Sequence, residues 1–132
     1  MIANTLCKLL AVLALTSVAV TGSVYAQESK RIELKRSDLT GTNMEVIVSI
    51  TEVPPGATIP RHFHYGEEAA YVLEGAITEM PGQPPQVRAA GSSVMNMREV
   101  PHAGYKVVGD KTLKLLTVHV VDKGKPLYNN AP

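Results

Sequence analysis

The stretch RHFHYGEEAAYVLEG, residues 61–75, decides how this chain is read. Two histidines stand one residue apart, two glutamates follow, and a short apolar run closes on glycine. In an extended strand, residues two apart project to the same face, so His62 and His64 point together while Phe63 points away. Glu68 lies four residues beyond His64, across a bend that Gly66 can make, and the chain can bring its carboxylate beside the imidazoles. Its neighbour Glu67 has the opposite parity and is expected to point elsewhere. Imidazole nitrogens with one carboxylate suit a divalent transition metal: iron, manganese, nickel, copper or zinc. The same spacing also fits a solvated strand edge, so the ligand reading needs a further donor from elsewhere.

His102, in the context EVPHAGY, is the natural candidate for that donor, because it lies between two strand-like runs and can approach from a facing strand. His119, in LTVHVV, alternates with Leu115, Thr117 and Val121 and can face the interior. A lone strand histidine is more often packed than ligating, so His119 is expected to be structural. The texture around these residues is β. Val- and Ile-rich or alternating runs occur at 44–53, 69–74, 76–80, 86–89, 93–97 and 111–121, separated by glycine- and proline-rich turns. The charged segment 28–39 reads as an arm or edge strand, and the polar segment 122–132 offers Leu127 and Tyr128 as docking residues. Many short strands with such punctuation predict one all-β domain, an antiparallel sandwich or barrel.

The first part of the 132-residue chain reads differently. Lys8, the apolar run LLAVLALTSVAV and the small residues up to Ala26 have the form of a secretory signal peptide. Twelve apolar positions fall short of the roughly twenty that a membrane span needs. Cleavage after Ala26 would leave residues 27–132, a chain of 106 residues (132 − 26), exported to the periplasm or secreted. Removing Lys8 leaves twelve basic and twelve acidic residues, a balance that favours neither nucleic acid nor an anionic membrane surface. The only cysteine, Cys7, would leave with the signal, so a core of this size relies on packing, a metal or a second copy.

Read from Gly56, the sequence is G-ATIPR-H-F-H-YGE-E-AAYVLE-G, which resembles the first conserved motif of the cupin superfamily at Gly56, His62, His64, Glu68 and Gly75. The second motif opens at Gly91 and reaches His102 at the usual spacing. Its usual Pro, Gly and terminal Asn are here Met97, Glu99 and Lys106, Ser92 stands where Asp is frequent, and Tyr65 replaces a common Pro. The loop presenting His102 is therefore expected to take a different shape, with Pro101 adding stiffness. The resemblance covers about residues 44–127 and is to the small single-domain exported cupins. It implies an antiparallel jelly-roll β-barrel, a metal held by His62, His64, Glu68 and His102, and a homodimer. It further implies a metal-dependent, dioxygenase-like oxidoreductase acting on a small oxygenated molecule. The alternatives are a non-catalytic exported small-ligand-binding protein and a metal-dependent lyase or isomerase. A pocket is expected from Val46, Val48, Ile50, Tyr71 or Val72, Met95, Met97 and Leu115, with Tyr65 and Tyr105 at its mouth.

Overall fold

The computed structural model describes residues 27–132; the expected signal segment, 1–26, lies outside the described residues. Ten strands follow one another: β1 (Lys30–Asp38), β2 (Met44–Val53), β3 (Thr58–Phe63), β4 (Gly66–Glu74), β5 (Ala76–Glu79), β6 (Gln86–Arg88), β7 (Ser93–Asn96), β8 (His102–Val108), β9 (Leu113–Asp122) and β10 (Asn129–Asn130). They form two five-stranded sheets, β1-β2-β9-β4-β7 and β10-β3-β8-β5-β6, with antiparallel pairing throughout. Successive strands repeatedly switch sheets, which closes the two layers into a jelly-roll barrel. The charged run 28–39 becomes the edge strand β1, exposed along its whole length.

The inner faces follow a strict alternation. On β2 the buried positions are Ile47, Ser49, Thr51 and Val53, and their cross-strand partners on β9 are His119, Thr117, Leu115 and Leu113. Val46, Val48 and Ile50, expected in the pocket, have the opposite parity and face outward. MEVIVSITEV is apolar on both parities, so hydrophobicity cannot choose its face. The inward row carries Thr51, which lines the cavity, and Ser49, which accepts from Arg31 Nη1 at 2.9 Å. For the same reason of register Val72 is inside and Tyr71 outside, while Met95 and Met97 are exposed at the β7 edge. Leu115 does lie on the inner side, packed against the core.

The apolar core occupies one end of the barrel, where Val53, Ala57, Val72, Ala76, Tyr105, Val107 and Leu113 pack together. The histidines collect toward the opposite end, His119 lying six residues along β9 from Leu113, as Ile47 lies six along β2 from Val53.

Candidate metal centre

Two rows of side chains, one from each sheet, meet at that end. Across the first sheet, register aligns Ile47, His119, Glu68 and Asn96. Across the second it pairs His62 with His102 on one side and with Asn130 on the other. His64, one residue past the end of β3, projects between the two rows. His62, His64, Glu68 and His119 are buried, and His102 lies partly open to the cavity.

The histidine tautomers are set from outside the cluster. Nδ1 of His62 donates to the Pro60 carbonyl at 2.8 Å, and Nδ1 of His102 to the Val100 carbonyl at 2.9 Å. Nδ1 of His64 donates to the Leu127 carbonyl. A proton held on Nδ1 leaves the Nε2 lone pair free, as a metal-ligating imidazole requires. The Nε2 atoms of His64 and His102 lie 3.1 Å apart, and they lie 3.4 and 3.3 Å from Oε2 of Glu68. Three acceptors with no proton between them are mutually repulsive at such separations unless a cation or protons lie among them. Donor spacings near 3 Å are those of ligands about 2.0–2.2 Å from a common ion. His62 Nε2 is buried without a hydrogen-bond partner, an orphaned acceptor of the kind an ion would satisfy. His62, His64, His102 and Glu68 are thus grouped as a possible metal site, and their chemistry fits one.

Burial alone would push the Glu68 carboxyl up, but the facing His102, His119 and His64 rings outweigh it and hold Glu68 well below the usual carboxylate range. Burial opposes charge on His102 as well, yet Glu68 and the Val100 carbonyl raise its pKa above the ordinary histidine value. Burial depresses His62. A permanently ionised carboxylate among imidazoles is the electrostatic frame of a cation site.

His119 joins this cluster, against the expectation that it is only packing. It is wholly buried, and its Nε2 lies 3.2 Å from Oε1 of Glu68. The signal was present in the sequence, since its parity with Leu115, Thr117 and Val121 placed it inward. What could not be read was the β4–β9 register that sets it opposite Glu68. Unlike the other three, it has no carbonyl on Nδ1. Its Nε2, like that of His62, is buried without a hydrogen-bond partner, and His64, Glu68 and His119 form a second possible donor group that shares His64 with the first, while Asn96 Nδ2 donates to Oε2 of Glu68 at 2.7 Å. Glu67 occupies the opposite parity, half-buried and outside the cluster. His119→Gln is expected to weaken metal affinity by roughly 10–100-fold while keeping one ion per chain. Glu67→Gln is expected to leave affinity unchanged; competitive chelator titration reads both.

The departures in the second motif prove milder than expected. Glu99, where the family has glycine, takes a left-handed φ of +57°, the conformation glycine would adopt, and its N–H donates to the His64 carbonyl at 2.9 Å. A non-glycine residue there costs about 1–2 kcal/mol. The loop keeps its turn at that cost and still delivers His102.

A cavity of about 570 Å³ opens from the cluster into the barrel, within the usual range for small-molecule sites. Its walls include Ile59, Val72 and Leu115, and the hydroxyl-bearing Tyr105 and Tyr128. Tyr128 stacks edge-on against His62 and His64. Burial, with the Glu68 charge, pushes its hydroxyl up to about 12. Tyr65 does not line this cavity; its ring meets Phe63 and Lys125 instead.

A jelly-roll barrel with a histidine and glutamate cluster at the mouth of its cavity defines a cupin, and sequence comparison agrees. The profile of the cupin domain family matches residues 49–119, over half of the chain. The protein belongs to this family. Among solved structures, the polyketide cyclase RemF from Streptomyces resistomycificus is 27% identical, with a TM-score of 0.58 over 81% of this chain and 73% of that one. A conserved protein with a double-stranded β-helix domain from Klebsiella pneumoniae has a TM-score of 0.57 at 19% identity, over 78% of this chain and 86% of that one. The DMSP lyase DddQ from Ruegeria pomeroyi is 26% identical with a TM-score of 0.49; 61% of this chain is covered, and it spans only 41% of that lyase. No curated protein matches the chain.

Proposed function

We propose that this protein is an exported, homodimeric, metal-dependent cupin enzyme that oxidises a small oxygenated molecule in a dioxygenase-like reaction. The observation that carries the reading is the set of three carbonyl-anchored imidazoles gathered beside one ionised carboxylate at the wall of a cavity that is partly open to solvent. His62, His64, Glu68 and His102 would hold a divalent iron, manganese, nickel, copper or zinc ion, with Asn96 donating to the carboxylate and His119 3.2 Å from its other oxygen. Such an ion supplies Lewis acidity and, when redox-active, a partner for dioxygen. The apolar wall of Ile59, Val72 and Leu115 keeps water from the bound molecule, and the Tyr105 and Tyr128 hydroxyls, kept protonated by burial, donate to its oxygen atoms. Export is supported by the Lys8-to-Ala26 segment, and a dimer by the apolar outer face carrying Val46, Val48, Ile50 and the exposed Tyr71.

Metal-loaded protein is expected to consume oxygen only with substrate present, and His102→Ala to lose that uptake; an oxygen electrode and a panel of small oxygenated compounds test it. Turnover without oxygen uptake would instead support a metal-dependent lyase or isomerase, the reading that the likeness to a polyketide cyclase favours. Saturable binding without turnover would support a non-catalytic ligand-binding protein.

A further inference from the structure

The cavity is charged in one sense. Lys30, Arg31, Arg61 and Arg88 border it, whereas among the described residues Glu68, already committed to the imidazoles, is its only carboxylate. Of these cations Arg31 also reaches the inner face, but it donates to Ser49 and lies 3.6 Å from Glu33, so Arg88 is the inward cation left without a carboxylate. Its partner across β5 and β6 is Ala76, a core residue, so register turns the Arg88 side chain inward. There its guanidinium lies 4.3 Å from the centroid of the Tyr105 ring, and Nε donates to Thr78 Oγ1 at 3.2 Å. Among the described residues it pairs with no carboxylate.

A half-buried guanidinium stacked on one face and tethered through Nε has lost most of its rotamer freedom, and its two terminal nitrogens remain to be satisfied. A guanidinium so fixed presents a planar fork matched to a carboxylate. The Tyr105 hydroxyl and, from the facing sheet, Ser93 border the same cavity and offer further donors, whereas the Ser92 hydroxyl already donates to the Ala89 carbonyl at 2.6 Å. Glu68 and Arg88 both border the one cavity, so a single molecule can engage the metal centre with one oxygen-bearing group and Arg88 with another.

We infer that the substrate is a small organic anion, with a carboxylate held by Arg88 and Tyr105 and an oxygen-bearing group directed to the histidine cluster. The inference rests on the proposed metal centre for the second contact and on Arg88 alone for the first. Arg88 is a specificity-determining residue: it selects the charge of what enters and sets its direction. Arg61 and Lys30, exposed at the rim, would draw anions inward and lose that influence in salt.

The test is isothermal titration of metal-loaded and metal-stripped protein with glutarate and with its uncharged diamide, glutaramide. Glutarate is expected to bind about tenfold or more tighter than the diamide in both forms, the scale of one charge-assisted contact. In metal-stripped Arg88→Gln, where no ion can favour the second carboxylate, that preference is expected to fall below about threefold, and Arg88→Lys to keep an intermediate share because it retains charge but not the fork. An undiminished preference in Arg88→Gln, or no preference in the parent, overturns the inference. Thermal unfolding matched to the parent establishes that each variant is folded. Metal content, measured on the same samples, reports separately on the metal centre: protein that takes up no ion defeats that proposal, while the Arg88 contrast is still read on the stripped form.

Discussion

Replacing His64 with alanine is expected to strip the protein of stoichiometric metal. The parent should carry close to one ion per chain, and the variant less than about a tenth of that, an affinity loss of roughly 100-fold or more. His64 is the ligand of choice for this test because it is wholly buried and sits between the two rows. Its Nε2 is within 3.1–3.4 Å of both His102 Nε2 and Glu68 Oε2, so removing it opens the middle of the donor set. Elemental analysis of both proteins decides the matter, and an unchanged metal content in the variant would sink the assignment. The parent should also bind metal more tightly as pH rises. Because the His102 pKa stands above its ordinary value, a proton occupies that nitrogen at low pH and must leave before an ion can bind. Affinity is therefore lost below the elevated pKa and recovered above it.

Gly66→Ala is expected to cost roughly 3 kcal/mol or more of stability, or to prevent folding. A Cβ at this position would lie 2.0 Å from the Val120 carbonyl oxygen and 2.6 Å from Val121 Cα. Both are backbone atoms of β9, and neither can rotate aside. The first turn of pairing between β4 and β9 would have to separate, displacing Glu68 from His119 two residues further on. Gly56→Ala is the control. It too has a positive φ, +84°, but a Cβ there meets nothing within 4 Å, so it costs only the local strain of about 1–2 kcal/mol. Urea unfolding of both variants measures the difference. Equal losses would mean that the β4–β9 approach tolerates a side chain.

Much of this architecture was legible beforehand, for identifiable reasons. The runs 44–53, 76–80 and 86–89 became β2, β5 and β6 to within a residue, because β-branched alternation and Gly or Pro punctuation act locally. His62, His64 and Glu68 were legible together because strand parity and one glycine bend relate them over seven residues. His102 needed the motif spacing. Beyond these, register between distant strands decides, and a single sequence does not encode it visibly. Val46, Val48 and Ile50 face outward rather than into the pocket, and the sequence cannot tell the two faces of β2 apart because both parities of that strand are apolar. His119 and Asn96 acquire their roles only through pairing opposite Glu68, and Arg88 only through pairing opposite Ala76. The Glu99 turn shows another limit: tertiary contacts can hold a residue in a conformation its own preferences oppose.

The carbonyl that fixes the His64 tautomer belongs to Leu127, 63 residues along the chain. Next to it, Tyr128 packs on two of the imidazoles and β10 pairs with His62 and Phe63. Segment 127–130 thus acts as a clasp whose closure sets the basicity of a nitrogen it never approaches as a ligand. A substitution that lifts this segment is therefore expected to weaken metal affinity without removing any ligand.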